Sequence, residues 1–111
     1  MKRNSVVFGT VSSVALLAAS MFSTSVSAED VAAGQTLYQN VCLSCHGAQG
    51  AGQAIFPSVQ GQSVDYLTGK LELYRSGETV GQHTALMAPH ARSLSDEDIA
   101  NVAAYMSETF Q

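Results

Sequence analysis

The chain has 111 residues, with five Lys or Arg, nine Asp or Glu and three His, for a formal net charge of −4. That length is one small domain, and an acidic balance excludes a nucleic-acid binder or a ligand of anionic membrane surfaces. Two cysteines separated by only two residues also exclude a disulfide framework, because a bridge across so short a loop removes little freedom from the unfolded chain.

The first segment reads as a leader. Lys2 and Arg3 open it, residues 6–21 are apolar and small with no charge, and Val26-Ser27-Ala28 precedes the acidic pair Glu29-Asp30. That order predicts a secretory signal peptide over 1–28, cleaved after Ala28 or within a few residues of it. The apolar run is rich in Ser and Thr and short for a ~20-residue membrane span. Residues 29–111 keep only Lys70, Arg75 and Arg92 as basic residues against all nine acids, a net charge of −6. Export after cleavage predicts a soluble domain with no stable membrane insertion. A domain this small usually needs a disulfide, metal or other staple beside its core.

Beyond the leader the pattern predicts three helices, Gly-rich loops and no strand. The first spans about Asp30 to Val41, capped by Asp30, with Val31, Leu37, Tyr38 and Val41 on one side. A loop from Gly47 to Gln62 comes next, with glycines at 47, 50, 52 and 61 around Phe56-Pro57; its length suggests that it wraps something. The second helix runs from about Ser63 to Arg75, with Val64, Leu67, Leu71 and Tyr74 at helical spacing and Gly77 past its end. Gly69 inside it is mildly unfavourable. For the third, Ser95 is the N-cap, and Asp96, Glu97 and Asp98 load the first turn, with Asp98 at the N3 position of a capping box. Ile99, Val102, Ala103, Met106 and Phe110 then form an apolar stripe.

The chemistry lies in Cys42-Leu43-Ser44-Cys45-His46. Cys-x-x-Cys-His is the attachment signature of c-type haem. On a helical turn the two thiols, at i and i+3, face one side and can meet the two vinyl groups along one haem edge. His46, at i+4, can then present an imidazole nitrogen to the iron. A redox dithiol would call for a βαβ setting, which this pattern lacks. A zinc site would have to recruit His83 and His90 without a recognisable finger spacing.

An electron-transfer haem takes a second axial ligand, Met or His, and Met raises the potential. Met106 sits on the last helix's apolar stripe, where methionine is ordinarily core. Met87, in Leu86-Met87-Ala88-Pro89, reads as a loop residue 41 positions after His46, free to approach the haem's other face. His83 and His90 are the alternatives as ligands, and both otherwise read as exposed loop residues. An open sixth site would instead suit an enzyme or a gas sensor.

Five motifs in order resemble the class I cytochromes c. They are Cys42 to Gly50, Phe56 to Gln62, Tyr66-Leu67 with Arg75-Ser76-Gly77, Met87, and Leu94 to Ile99 continuing through Ala103-Ala104-Tyr105. Within that family the chain is similar to the short bacterial monohaem type, which also occurs as one half of dihaem cytochromes c. The resemblance implies an all-α class I fold, three main helices and Gly-rich loops wrapped around one covalently bound haem c. It implies Cys42 and Cys45 as haem attachment points, His46 as the proximal and Met87 as the distal axial ligand. It also implies that the Pro57 carbonyl accepts a hydrogen bond from the proximal histidine. Gly34 and Tyr38 correspond to a small-then-aromatic pair that crosses the last helix near Tyr105. Two departures are His90, where an aliphatic residue is commoner, and the Gly69-Lys70 pair. The function implied is a periplasmic one-electron carrier rather than an enzyme, a monomer or weak dimer serving membrane or soluble redox partners.

Overall fold

A computed structural model describes Gly9 and residues 29–111. The leader expected over 1–28 otherwise lies outside the described residues. Among the described residues there is no strand, only an isolated bridge between Gln53 and Phe56. No helix among them is long and apolar enough to cross a membrane.

The chain enters α1, Val31–Leu37, through Asp30, whose carboxylate accepts from the Ala33 amide at 3.0 Å. The expected end near Val41 is not a stop. A π-helical turn, Tyr38–Cys42, continues into α2, Leu43–His46, so the helical path runs through the cysteine motif. A π turn inserts an extra residue and re-phases the next helical turn, and such turns concentrate at functional sites. After the loop come α3, Val64–Ser76, and α5, Asp96–Thr109, close to their predicted bounds. Ser63 caps α3, and Gly77 closes it in the left-handed region at φ +85°. At α5 the capping box forms in both directions: the Asp98 amide donates to Ser95 Oγ at 3.0 Å, and the Ser95 amide donates to Asp98 Oδ2 at 3.0 Å.

The sequence did not predict α4, Thr84–Arg92. Pro89 within it argues against a helix, because proline donates no backbone hydrogen bond. Packing outweighs that loss over a short stretch. Ala88 and Ala91 lie three residues apart on one buried face, and α4 rests against α3. The Val80 and Gly81 amides also donate to Thr84 Oγ1, both at 2.9 Å, which fixes the chain just before the helix.

The core lies between α1 and α5 and extends to α3. Every residue of the α5 stripe is buried: Ile99, Val102, Ala103, Met106 and Phe110. Tyr38, Tyr105 and Phe110 form an aromatic triangle with ring centroids 5.0 to 5.6 Å apart, separations at which tilted and edge-on pairs are favourable. Gly34 allows the two helices to approach, since a Cβ there would stand 2.0 Å from the Asn101 carbonyl oxygen. The expected crossing of Gly34 and Tyr38 with the last helix near Tyr105 is therefore present.

The side chain of Asn101 is buried on α5, and its Oδ1 accepts from the Asp30 amide at 2.7 Å. This tie joins the start of α1 to α5. An asparagine among apolar neighbours in mid-helix is its only trace in the sequence. Arg75, at the end of α3, donates to the Leu94 carbonyl at 3.2 Å and pairs with Asp96 at 2.6 Å, holding the approach to α5.

Candidate functional site: a cavity behind the cysteine motif

One cavity of about 340 Å³ gathers the candidate residues. Cys42, Cys45 and His46 line it from the π turn and α2, Phe56 and Pro57 from the loop, and Met87 from α4. Leu67 and Leu71 of α3 and Val102 and Met106 of α5 supply much of its apolar wall. The site is thus a gap within the core itself, closed on one side by the loop that the sequence suggested wraps something.

The motif is anchored at both ends. The Tyr38 hydroxyl donates to the Gly47 carbonyl at 2.7 Å, which ties the start of the π turn to the residue after His46. His46 is buried and its Nδ1 lies 2.7 Å from the Pro57 carbonyl oxygen. A carbonyl only accepts, so Nδ1 carries the proton and donates. Nε2 is then the ring nitrogen with a lone pair. No described residue engages it, and it is not a buried atom without a partner. The expected Pro57 contact is present in the geometry.

Backbone placement makes that contact possible. Gly52 has φ +72°, and its amide donates to the His46 carbonyl at 2.8 Å. A Cβ on Gly52 would stand 2.4 Å from the Phe56 carbonyl oxygen and 2.6 Å from the Pro57 carbonyl carbon. Glycine is therefore required there on two counts, conformation and space. The sequence offered only a Gly-rich loop as a sign of it.

Cys42 and Cys45 are both free and half-buried. Burial pushes the Cys42 thiol up from 9.0 to about 11, with the like charge of Cys45 adding to the effect. Before haem is attached, Cys42 is therefore held as a neutral thiol on an apolar wall at neutral pH.

Met87 is half-buried on α4, not on a loop as the sequence suggested. His90 also lies on α4, and His83 stands at its N-cap position without a side-chain cap; both are exposed and line the cavity. Met106 lies in the core as expected and also touches the cavity. Among the described residues no cluster of three or more His, Cys, Asp or Glu is placed to hold a bare metal ion.

The donor set fits a haem. Two thiols, an imidazole with a free lone pair and a thioether converge on one apolar cavity, and no Asp or Glu lines it. A buried carboxylate would be out of place against a large apolar ring.

Comparison with known proteins agrees. A model of the cytochrome c family matches residues 31–110. Cytochrome c-554(548) of Halomonas halodenitrificans is 48% identical over 81 residues, covering 72% of this chain and 96% of that protein. Cytochrome c-554(547) of Halothiobacillus neapolitanus is 40% identical over 88 residues, covering 72% and 97%. Among solved structures, reduced recombinant cytochrome c4 from Pseudomonas stutzeri superposes with a TM-score of 0.64 at 27% identity. That match covers 73% of this chain but 48% of the cytochrome c4 chain, so this chain spans about half of its length. With its helical fold, its Cys-x-x-Cys-His motif and these relatives, the chain belongs to the cytochrome c family, has the class I fold and carries covalently attached haem c as an electron carrier.

Proposed function

We propose that this protein is a soluble periplasmic one-electron shuttle whose haem c is attached through Cys42 and Cys45 and ligated by His46 and Met87. The observation that carries the reading is the convergence of both thiols, His46 and Met87 on a single cavity, with His46 Nδ1 committed to Pro57. Haem, when bound, supplies a one-electron Fe(III)/Fe(II) couple.

The chain's own residues do the rest. The Pro57 carbonyl fixes the His46 tautomer and makes the other nitrogen a better donor. Met87 is a soft thioether, a ligand type that favours the reduced metal and raises the potential. Leu67, Leu71, Val102 and Met106 exclude water, which lowers the cost of reorganising the surroundings when charge changes by one. With His46 and Met87 both given to the iron, no coordination position would be left for a substrate, which favours transfer over catalysis.

The leader pattern supports export, and the net charge of −6 over residues 29–111 favours partners with a basic or apolar docking face, reached in a salt-dependent encounter. The protein acts as a monomer or weak dimer between membrane or soluble oxidoreductases.

The test is a potentiometric titration of wild type beside Met87→Ala, with carbon monoxide added to the reduced form of each. The expected result is a lower potential and rapid carbon monoxide binding in the variant, against resistance in wild type. An unchanged potential and unchanged ligand binding would remove Met87 as the axial ligand.

A further inference from the structure

Helix α3 presents two rows of residues to the cavity. Leu67 and Leu71 are buried and form the apolar row. Gln62, just before the helix, and Tyr66, Lys70 and Tyr74 on it recur every fourth position and also line the cavity. Residues four apart lie one above the other on a helix, so these four make a continuous polar edge beside the apolar wall. All four carry N–H or O–H donors.

Lys70 stands out on that edge. The residue is half-buried, and its ammonium sits 5.5 Å from the centre of the Tyr66 ring. Both positions one turn away are tyrosines, where a Glu or Asp would be the usual helix partner. Among the described residues the sole Lys or Arg ion pair is Arg75 with Asp96, so Lys70 forms no ion pair although Asp65 and Glu72 lie nearby on the outer side of α3. The cavity itself has no Asp or Glu on its lining, in a chain where acids outnumber bases nine to three beyond residue 28. A cation on the edge of a cavity with no acid in its lining, flanked by phenols, suits an anionic group.

Haem brings two carboxylates. We propose that Lys70, flanked by Tyr66 and Tyr74, is the charge partner of a haem carboxylate and a determinant of the reduction potential; this rests on the haem occupying the cavity described above. Lys70 is a positioning residue: it acts on the iron through the carboxylate. Its positive charge offsets a negative charge held in a poorly screened setting, which disfavours the more cationic ferric state and raises the potential. Cys42 and Cys45 would hold the haem through thioethers, and the α3 residues would hold a carboxylate of it.

The experiment uses the haem-loaded protein. Midpoint potentials are measured at low ionic strength for wild type, Lys70→Gln, Lys70→Arg and Arg92→Gln. Arg92 is exposed and absent from the cavity lining, so its variant reports the loss of one surface charge. A haemochrome spectrum of each sample establishes covalent haem. The expected result is a downward shift for Lys70→Gln, larger than for Arg92→Gln, with Lys70→Arg near wild type and visible spectra unchanged. If Lys70→Gln fails to fold, acetylating Lys70 in the folded wild type, verified by peptide mapping, removes the same charge and should lower the potential equally. Covalent haem with a potential insensitive to Lys70, or a Lys70→Arg shift as large as that of Lys70→Gln, overturns the assignment while leaving the haem reading intact. An unchanged potential with altered salt dependence of electron transfer to a partner would make Lys70 a docking residue and also overturns it. A wild-type protein without covalent haem overturns both.

Discussion

Gly52 passes so close to Pro57 that a Cβ on it would stand 2.6 Å from the Pro57 carbonyl carbon, and that carbonyl is the one to which His46 donates. Gly52→Ala must therefore move the loop or strain a backbone at φ +72°. The cost expected is about 1–3 kcal/mol, as for other side chains forced into filled space. Because the displaced group is the histidine's acceptor, the potential should change together with stability. Denaturant titration and potentiometry of the same variant check both. A loss of stability with no change in potential would separate the loop from the histidine.

Gly34 is required for a different reason. Its backbone is ordinary helix, but the Asn101 carbonyl oxygen occupies the space a methyl would need, at 2.0 Å. Gly34→Ala would gain helix propensity of up to about 1 kcal/mol and lose more by pushing α1 from α5. Net destabilisation of about 2–3 kcal/mol is expected, read as a lower denaturant midpoint at an unchanged slope.

Arg75 makes two contacts of unequal worth. The Asp96 carboxylate is 90% exposed, so that ion pair is screened and Asp96→Asn should cost no more than about 0.5 kcal/mol. The hydrogen bond from Arg75 to the Leu94 carbonyl lies in a partly buried position, and Arg75→Met leaves that acceptor unpaired. A loss of about 1–2 kcal/mol is expected. Equal losses for the two variants would mean that the ion pair carries the tie.

The Tyr38 hydroxyl gives the fold an alkaline limit. Burial above all, with the like charges of Tyr105 and, while its thiol is free, Cys42 adding to it, pushes its pKa from 10.0 to about 12. The folded chain therefore holds this proton at pH values where the unfolded chain has lost it. The resulting stability is complete below pH 10 and is lost as pH rises from 10 to about 12. The shift corresponds to about 2–3 kcal/mol at most. In Tyr38→Phe the slope of stability over that window should flatten, and the variant should also lose the hydrogen bond to Gly47. Equilibrium unfolding at several pH values measures this.

Haem seated in this cavity would be part of the core, so the chain without it should be poorly folded. Left dry, a 340 Å³ cavity would cost about 8 kcal/mol at about 24 cal/mol per Å³, an upper bound. That is comparable to the whole stability of a domain, about 5–15 kcal/mol. Cys42→Ala/Cys45→Ala is expected to lose cooperative unfolding by circular dichroism. A sharp native-like transition in the double variant would show that the helices close without haem.

Cofactor, helical class and most elements were legible because each rests on local chemistry. The cysteine motif specifies covalent haem by spacing alone, the α5 capping box needs only Ser95 and Asp98, and the α5 core stripe comes from period 3.6. Long-range relations left weaker traces. The Gly34 approach and the Pro57 contact were reached through family resemblance, since nothing in their own neighbourhood states what they meet. Helix α4 was missed because Pro89 is a valid local signal against it, and only packing on α3 overrides that signal. Residue identity and spacing alone point to what is bound and to the thiols of Cys42 and Cys45, since attachment depends on residues within one turn. That His46, Met87 and the α3 edge share one cavity is a matter of packing, because residues from five separate segments meet there through burial and not through proximity along the chain.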